Sequence, residues 1–342
     1  MKIIVTGGSG FIGSHLIHRL IEQSDHEVLN LDKLTYAANP LSLAAVEHHP
    51  RYQFRHLDLA ERTAVEAAIE TFQPDGVIHL AAESHVDRSI DDAEIFIESN
   101  VLGTQHLLDA CRRHLDQAPG KRAAAFRFVH VSTDEVYGEL GESDPPFTES
   151  SRYAPRSPYA ASKAAADHLV RAWAHTYQFP AIITHCGNNY GPRQFPEKFI
   201  PHLIQCALAG NPLPIYGDGR QIRDWLHVED HIDALLAVFA RGEIDSSYHI
   251  GTHHEVRNLD LAHTICRHLD ELVPDRRPAD LESFAELITF VADRPGHDRR
   301  YALDTRQITR DLGWTATRAF GSSLRETIQW YLANPDWLRA CQ

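Results

Sequence analysis

Tyr159 and Lys163 stand four residues apart near the start of a stretch with helical periodicity, so a phenol and an ammonium share one face. An ammonium close to a phenol favours the phenolate, lowers its pKa from about 10, and fits Tyr159 to draw a proton from a hydroxyl group. The spacing by itself is more often that of an ordinary exposed helix pair. Its weight changes with the upstream run Val131-Ser132-Thr133-Asp134-Glu135, which closes a β-branched segment where open α/β sheets bind ligands. Adjacent carboxyl groups in different surroundings titrate apart, so Asp134 and Glu135 can supply an acid and a base. They can equally cap the turn that follows. The Thr133 hydroxyl offers a hydrogen bond to a substrate hydroxyl.

A second constellation lies at the N-terminus. Gly7-Gly8-Ser9-Gly10-Phe11-Ile12-Gly13 follows a short apolar strand and opens a helix. Gly7 permits the tight turn, Gly10 lets the backbone approach a pyrophosphate, and Gly13 lets helix and strand pack closely. Asp32 ends the next strand, at the distance where a carboxylate meets the ribose hydroxyls of a dinucleotide. That carboxylate repels a 2′-phosphate, so NAD is preferred over NADP, with the neighbouring Lys33 softening the preference. Asp58 is read either at the adenine edge or as a helix cap. The small residues of Leu80-Ala81-Ala82 suit a backbone lying against the cofactor.

These residues must be positioned by a scaffold. Apolar, β-branched runs at 2–6, 27–32, 52–58, 76–81, 126–132 and 181–186 alternate with helical patterns at 13–23, 60–71, 95–114 and 158–177. Strands separated by helices give an α/β fold, a Rossmann-type doubly wound parallel sheet. Beyond about residue 188 the chain turns to loops rich in Pro and Gly, read as a smaller α/β lobe over the carboxyl edge of the sheet. The expected division is a cofactor-binding domain over 1–188, rejoined by 225–250, and a substrate lobe over 189–224 and 251–342. A helix at 234–239 and a strand at 248–250 carry the return. Residues 116–125 and 273–280 read as surface connections.

Composition narrows the partners. The 342 residues carry 33 Lys+Arg against 47 Asp+Glu, a net charge of −14, which disfavours a nucleic-acid polymer or an anionic membrane. Five scattered cysteines without a Cys-x-x-Cys pair point to a reducing compartment. No signal segment or spanning run is evident, and a cytoplasmic enzyme is expected. Although 23 histidines invite a metal reading, His227-Val228-Glu229-Asp230-His231 has its glutamate out of order for a zinc protease. Surface or packing roles are the better account, there and at His48-His49 and His253-His254, and no metal is expected.

Taken together, Gly7–Gly13, the Tyr159/Lys163 pair and the strand pattern resemble the extended short-chain dehydrogenase/reductase family. More narrowly, the chain is similar to its dTDP-glucose 4,6-dehydratase branch. The likeness runs through Ser132-Thr133-Asp134-Glu135-Val136-Tyr137-Gly138 and Arg294-Pro295-Gly296-His297-Asp298, and through segments 32–37, 79–89, 157–163, 188–192, 196–198, 216–219 and 223–225. The resemblance implies bound NAD that is regenerated at each turnover. Tyr159, with Lys163, would take the C4 hydroxyl proton as hydride leaves C4; Glu135 would remove the C5 proton; Asp134 would protonate the departing C6 hydroxyl. Hydride returned to C6 gives a 4-keto-6-deoxy sugar and water, a step in deoxysugar (dTDP-rhamnose) synthesis.

The same resemblance assigns Phe11, Ile12, Lys33, Leu34, Thr35, Asp58, Leu59, Leu80, Ala81, Ala82, Glu83, Ser84, Ser99 and Asn189 to the cofactor, beside the glycines and Asp32. Ser84, Thr133, Asn188, Lys198, Phe199, Arg223, Asn258, Asp293, Arg294, Pro295, Gly296 and His297 are implied to meet a nucleotide-sugar substrate. Pro214, Ile215 and Tyr216 would line its base pocket. A homodimer through helices 95–114 and 158–177 is also implied. Ser99, Phe199 and Thr252 depart from the family pattern and bear on fine specificity. The nearest rivals are a nucleotide-sugar 4-epimerase and a UDP-glucuronate decarboxylase, neither of which needs both carboxyl groups after Thr133. A cofactor-binding scaffold without activity would not need that set at all.

Overall fold

Strand residues with both neighbours apolar cannot sit on an open sheet, and here helices cover both faces. In the computed structural model, which describes residues 1–117, 120 and 125–340, twelve strands form. They are β1 (Lys2–Thr6), β2 (Glu27–Asp32), β3 (Tyr52–His56), β4 (Gly76–His79), β5 (Arg127–Thr133) and β6 (Ala181–Cys186), then β7 (Asn188–Tyr190), β8 (Leu213–Tyr216), β9 (Ile222–His227), β10 (Ser247–Ile250), β11 (Glu255–Arg257) and β12 (Ile288–Val291). The main sheet has seven strands in the order β10-β6-β5-β4-β1-β2-β3. All its pairings are parallel. The order reverses between β1 and β4, so a crevice opens at their carboxyl ends. The strand expected at 248–250 does return to this sheet beside β6.

Two apolar cores flank the sheet, and a further one, from Tyr190 to Leu338, fills a separate lobe. That lobe holds β8 paired with β12, while β11, β9 and β7 form a small sheet beneath it. The 212–219 stretch, expected as loop, thus contains a strand, because Leu213 and Ile215 alternate into the third core. The 234–239 helix extends over Val228–Arg241. Of the expected surface connections, 116–125 lies partly outside the described residues, and 273–280 contains a short turn of helix at Pro274–Arg276.

One expected helix is not regular. The 95–114 stretch begins at Glu94–Phe96, passes through a π-helical turn at Ile97–Leu102 and continues as Gly103–Gln117. The wider turn aims Asn100 at the loop after β4. Asn100 Oδ1 accepts from Glu83 N at 2.8 Å, and its Nδ2 donates to Glu83 O at 3.0 Å and to Ser162 Oγ at 2.9 Å. Such turns recur where a functional side chain must be re-aimed.

The Pro158–Tyr177 helix is fixed to β5 by a buried carboxyl group. Ser157 caps the helix by accepting from Ala160 N. One turn beyond Lys163, Asp167 Oδ2 accepts from Ser132 Oγ at 2.9 Å and from Tyr153 Oη at 2.9 Å, with His185 Nε2 at 3.1 Å. His130 Nε2 lies 3.1 Å from Oδ1. Burial pushes this carboxyl up, but His130 and His185 outweigh it and hold Asp167 far below the usual carboxylate range. Because the folded value is depressed, its stabilisation is present above about pH 4 and is lost as pH falls through that lower value. Asp167→Ala strands several buried donors, and its urea midpoint should fall by the equivalent of about 3–5 kcal/mol at neutral pH. A midpoint equal to the parent's would show that the network does not hold helix to strand.

Candidate active site

The crevice between β1 and β4 leads into a cavity of about 360 Å³, within the range of small-molecule sites. One end is built from the glycine turn. Gly7 has φ +68, and a Cβ there would lie 2.7 Å from Ala81 Cα; a Cβ on Gly13 would lie 2.2 Å from Gly7 O. The Phe11–Gln23 helix starts without a side-chain cap, so its first N–H groups are left for an anion. Gly7, Gly10, Phe11, Ile12 and Gly13 line the cavity. At the far end Asp32 is held by Ser9 N at 2.9 Å and Leu34 N at 2.8 Å. This cradle fits a dinucleotide: donors for the pyrophosphate, then a fixed carboxylate for the ribose.

Lys33 is engaged by neighbouring side chains. Its Nζ donates to Ser99 Oγ at 2.5 Å and lies 3.5 Å from Glu83 and 3.6 Å from Asp58. Ser99 thus keeps the hydroxyl function its position calls for. Asp58 is not the cap of the following helix, whose N-cap is Glu61; its Oδ1 accepts from Ala60 N at 2.9 Å in the turn before it. Thr35, Leu59, Leu80, Ala81, Ala82 and Ser84 also line the cavity. Leu34 does not; it contributes its N–H to Asp32 and leaves its side chain outside.

The chemical end gathers where β5 stops. Thr133 caps the turn Asp134–Tyr137 by accepting from Glu135 N at 3.3 Å, which frees both carboxyl groups from the capping role. Thr133 Oγ1 donates to Asp134 Oδ1 at 3.2 Å, while Asp134 Oδ2 is buried with no partner among the described residues. Burial, then the neighbouring Glu135, push Asp134 well above the usual carboxylate range. Glu135 is also raised by burial, but Arg294, Arg223 and Lys198 pull it back. Two adjacent carboxyl groups therefore sit in unlike electrostatic surroundings.

Tyr159 and Lys163 line the same cavity as Thr133, Asp134 and Glu135. Their relation differs from the expected one. Lys163 Nζ donates to Val131 O at 2.9 Å instead of to the phenol, and burial lowers its own pKa. Tyr159 is pushed well above 10 by burial and by Glu135; the group that draws it down is its hydrogen bond with Thr133. Spacing put the pair on one face, but the strand carbonyl competes for the ammonium and wins.

Substrate-side residues fall into two sets. Asn188, Lys198 and Phe199 line the cavity. Lys198 Nζ donates to Ser84 O at 3.2 Å, and the Phe199 ring stacks near Trp225 at 6.4 Å. Arg223 lies behind the wall, held by the carbonyls of Ile222 and Asp298 at 2.8 and 2.9 Å and over the Tyr301 ring at 4.3 Å. Outside the cavity, Asp87 accepts from Arg294 at 3.2 Å and from Tyr216 at 3.3 Å. His297 Nδ1 sits 2.6 Å from Asp293, and Gly296 has φ +68 after Pro295. Asn258 N, at a helix start, donates to Gln221 O. Pro214 is half-buried beside them. Ile215 is a correction: its side chain is 0% exposed inside the third core and cannot touch a ligand.

Several lining residues escape the sequence reading, among them Cys186, Gln194, Phe195 and Trp225. Only the strand end at Cys186 gave a usable signal. His231 was read as packing, but its Nδ1 also bonds Asn189 Oδ1 at 2.9 Å and so orients the amide whose Nδ2 donates to Gly187 O at 3.0 Å. Thr252 also finds its reason, donating through Oγ1 to Asp224 at 2.5 Å and through N at 2.8 Å. Among the described residues no group of three or more His, Cys, Asp or Glu is placed to hold a metal ion.

Comparison with known proteins agrees with this geometry. The family model described as GDP-mannose 4,6 dehydratase matches residues 4–327. A dTDP-glucose 4,6-dehydratase of Neisseria gonorrhoeae is 54% identical over 333 residues, 97% of this chain and 96% of that one. The crystal structure of a dTDP-glucose 4,6-dehydratase from Streptomyces venezuelae with NAD and TYD bound superposes with a TM-score of 0.90 at 42% identity, covering 100% of both chains. A UDP-glucose 4-epimerase of Thermotoga maritima, solved with UDP-glucose, follows at a TM-score of 0.84 and 25% identity, covering 98% of this chain and 100% of that one. The chain belongs to the dTDP-glucose 4,6-dehydratase family, within the wider group that the GDP-mannose 4,6 dehydratase model describes.

Proposed function

We infer that this protein converts dTDP-glucose to dTDP-4-dehydro-6-deoxyglucose and water, using bound NAD that is regenerated in each cycle. The observation that carries the reading is the pair of adjacent carboxyl groups at the end of β5, both raised by burial but only Glu135 opposed by three cations, facing the same cavity as Tyr159. Relatives named for this reaction, at 54% identity over nearly the whole chain, support it. A 4-epimerase leaves the C6 hydroxyl in place and has no use for an acid and a base together at this point.

Bound NAD⁺ accepts hydride from C4, returns it to C6, and through its cationic ring favours the Tyr159 phenolate. Tyr159 receives the C4 hydroxyl proton. Glu135, whose carboxylate the three cations favour against its burial, takes the C5 proton that the new ketone has acidified, and Asp134 gives its proton to the departing C6 oxygen. Glu135 then returns its proton to C5. Lys198 and Arg294 serve the diphosphate, since guanidinium and ammonium donors in a sheltered cleft recognise it, and Arg223 adds its charge from behind the wall. The engaged Lys33 ammonium supports NAD over NADP.

Residues 1–188 with 225–250 form the cofactor domain in this reading, and 189–224 with 251–342 the substrate lobe. Ile95, Ile97, Leu102 and Tyr177 expose large apolar side chains along 95–114 and 158–177, which supports a homodimer through those helices. The four described cysteines are free, in keeping with the cytoplasm; no helix among the described residues is long and apolar enough to cross a membrane.

Purified protein given dTDP-glucose, with no reductant added, should yield the alkali-induced absorbance of a 4-keto-6-deoxy sugar; a C4 epimer or no product would reject the assignment. Glu135→Gln should keep the cofactor yet slow dehydration by about 10²–10⁴-fold, and wild-type turnover would remove Glu135 as the C5 base. The turnover rate should rise with pH as Glu135 loses its proton and fall again as Asp134 loses its own. Glu135→Gln should abolish the acid limb while leaving the basic one.

A further inference from the structure

The loop that follows β2 crosses the cofactor end of the cavity as a strap. It leaves Asp32, whose Oδ1 accepts from Leu34 N at 2.8 Å, and it ends at Asn39, whose N–H donates to Ser9 O in the glycine turn at 3.1 Å. Its two ends are therefore the carboxylate that fits the ribose and the turn that fits the pyrophosphate. Thr35, Ala37 and Ala38 line the cavity from the strap. Leu34 holds φ +52, a left-handed conformation that a leucine keeps only where its surroundings impose it.

Tyr36 does not line the cavity, and its side chain joins the strap to two other segments. Its Oη donates to Glu197 Oε1 at 3.2 Å, and its ring meets that of Phe195 edge to face at 5.8 Å. Arg88, from the segment after β4, lies over the ring at 3.5 Å. Glu197, with 13% of its side chain exposed, has its other oxygen 3.6 Å from His85 Nε2. Because His85 Nδ1 accepts from Arg88 N at 3.3 Å, the hydrogen of the neutral ring is on the nitrogen that faces Glu197. The strap, the segment after β4 and the 194–198 segment thus meet at one phenol and one sheltered carboxylate. Phe195 and Lys198 line the cavity from the last of these. The proposed reaction uses neither Tyr36 nor Glu197.

On the dehydratase reading, on which this inference rests for its purpose, hydride taken from C4 must come back to C6 of the same sugar. Loss of the cofactor between the two transfers would leave the sugar half converted, so the protein must hold it for longer than one turnover. Contacts to a ligand slow its release by binding it more tightly. A closure made of protein-to-protein bonds slows entry and release alike. We propose that the Tyr36–Glu197 bond is a clasp that keeps the strap shut across NAD, and that release of the cofactor waits on its opening. Tyr36 and Glu197 are positioning residues, acting on the cofactor through the strap, while Arg88 and His85 brace the two partners.

The test reads cofactor exchange. Holoenzyme carrying isotopically labelled NAD⁺ is chased with excess unlabelled NAD⁺, and the label still bound is followed with time. Tyr36→Phe keeps the ring under Arg88 and beside Phe195 and removes only the clasp bond, so its label should leave about 10–100-fold faster than the parent's. Since the lost bond joins protein to protein, entry should quicken by the same factor. Equilibrium dialysis with limiting labelled NAD⁺ should then show variant and parent binding it equally well. Glu197→Ala should release the label at least as fast as Tyr36→Phe, and the double variant no faster than Glu197→Ala alone. Release from either single variant at the parent's rate overturns the proposal. Faster release from Tyr36→Phe matched by an equal loss of affinity overturns it too, because Tyr36 would then belong to the binding surface and not to a closure. Rate increases that multiply in the double variant would show two separate effects and no shared clasp. No sugar is present in these measurements, so they stand apart from the product assay, which alone decides the dehydratase reading.

Discussion

Asp134 is shut inside the protein one residue before a second carboxyl group, and electrostatics does not allow both to remain ionised without compensating charge. The compensation is uneven. Arg294, Arg223 and Lys198 are the main groups that draw Glu135 down, while Asp134 has its own burial and Glu135 as its largest influences, and both push it up. On this inequality rests the proposed division of Asp134 and Glu135 into acid and base. The cations reach Glu135 from different parts of the chain: β9, the loop after β12 and the start of the Phe199–Leu208 helix. The second lobe therefore contributes to the electrostatics around Glu135.

The strand end must also be held still. Alternation along β5 sends His130 and Ser132 to one face, where they meet Asp167, and turns Thr133 to the cavity. Tyr159, Lys163 and Asp167 recur at four-residue spacing along one face of the Pro158–Tyr177 helix. Lys163 binds a β5 carbonyl and Asp167 a β5 hydroxyl, so helix and strand are joined by a cation above and an anion below. The phenol and the threonine hydroxyl are then fixed relative to each other by groups that never touch substrate.

Much of this was legible in the sequence. The glycine turn, Asp32 and the alternation of strands with helices specify the parallel sheet, because each rests on local periodicity or spacing. Residue types alone located the carboxyl pair without dividing it, and only the family resemblance named Glu135 the base and Asp134 the acid; the electrostatic difference between them depends on arginines more than eighty residues away in sequence. The Tyr159/Lys163 spacing put both groups on one helix face, but the lowered phenol expected from it is not seen: burial raises Tyr159, and a backbone carbonyl on another element takes the ammonium. The π-helical turn that aims Asn100 is hidden in a run whose apolar pattern still suggests a regular helix. Ile215 was misplaced because alternation in β8 sends it inward, a fact set by pairing with β12.

The central claim is that Asp134 keeps its proton to a higher pH than Glu135 does. Infrared difference spectroscopy of the holoenzyme reads this directly, through the C=O stretch of a protonated carboxyl group. The account predicts a band that disappears in Asp134→Asn and persists in Glu135→Gln. A band that survives in Asp134→Asn and is lost in Glu135→Gln would contradict it and exchange the roles of the two residues.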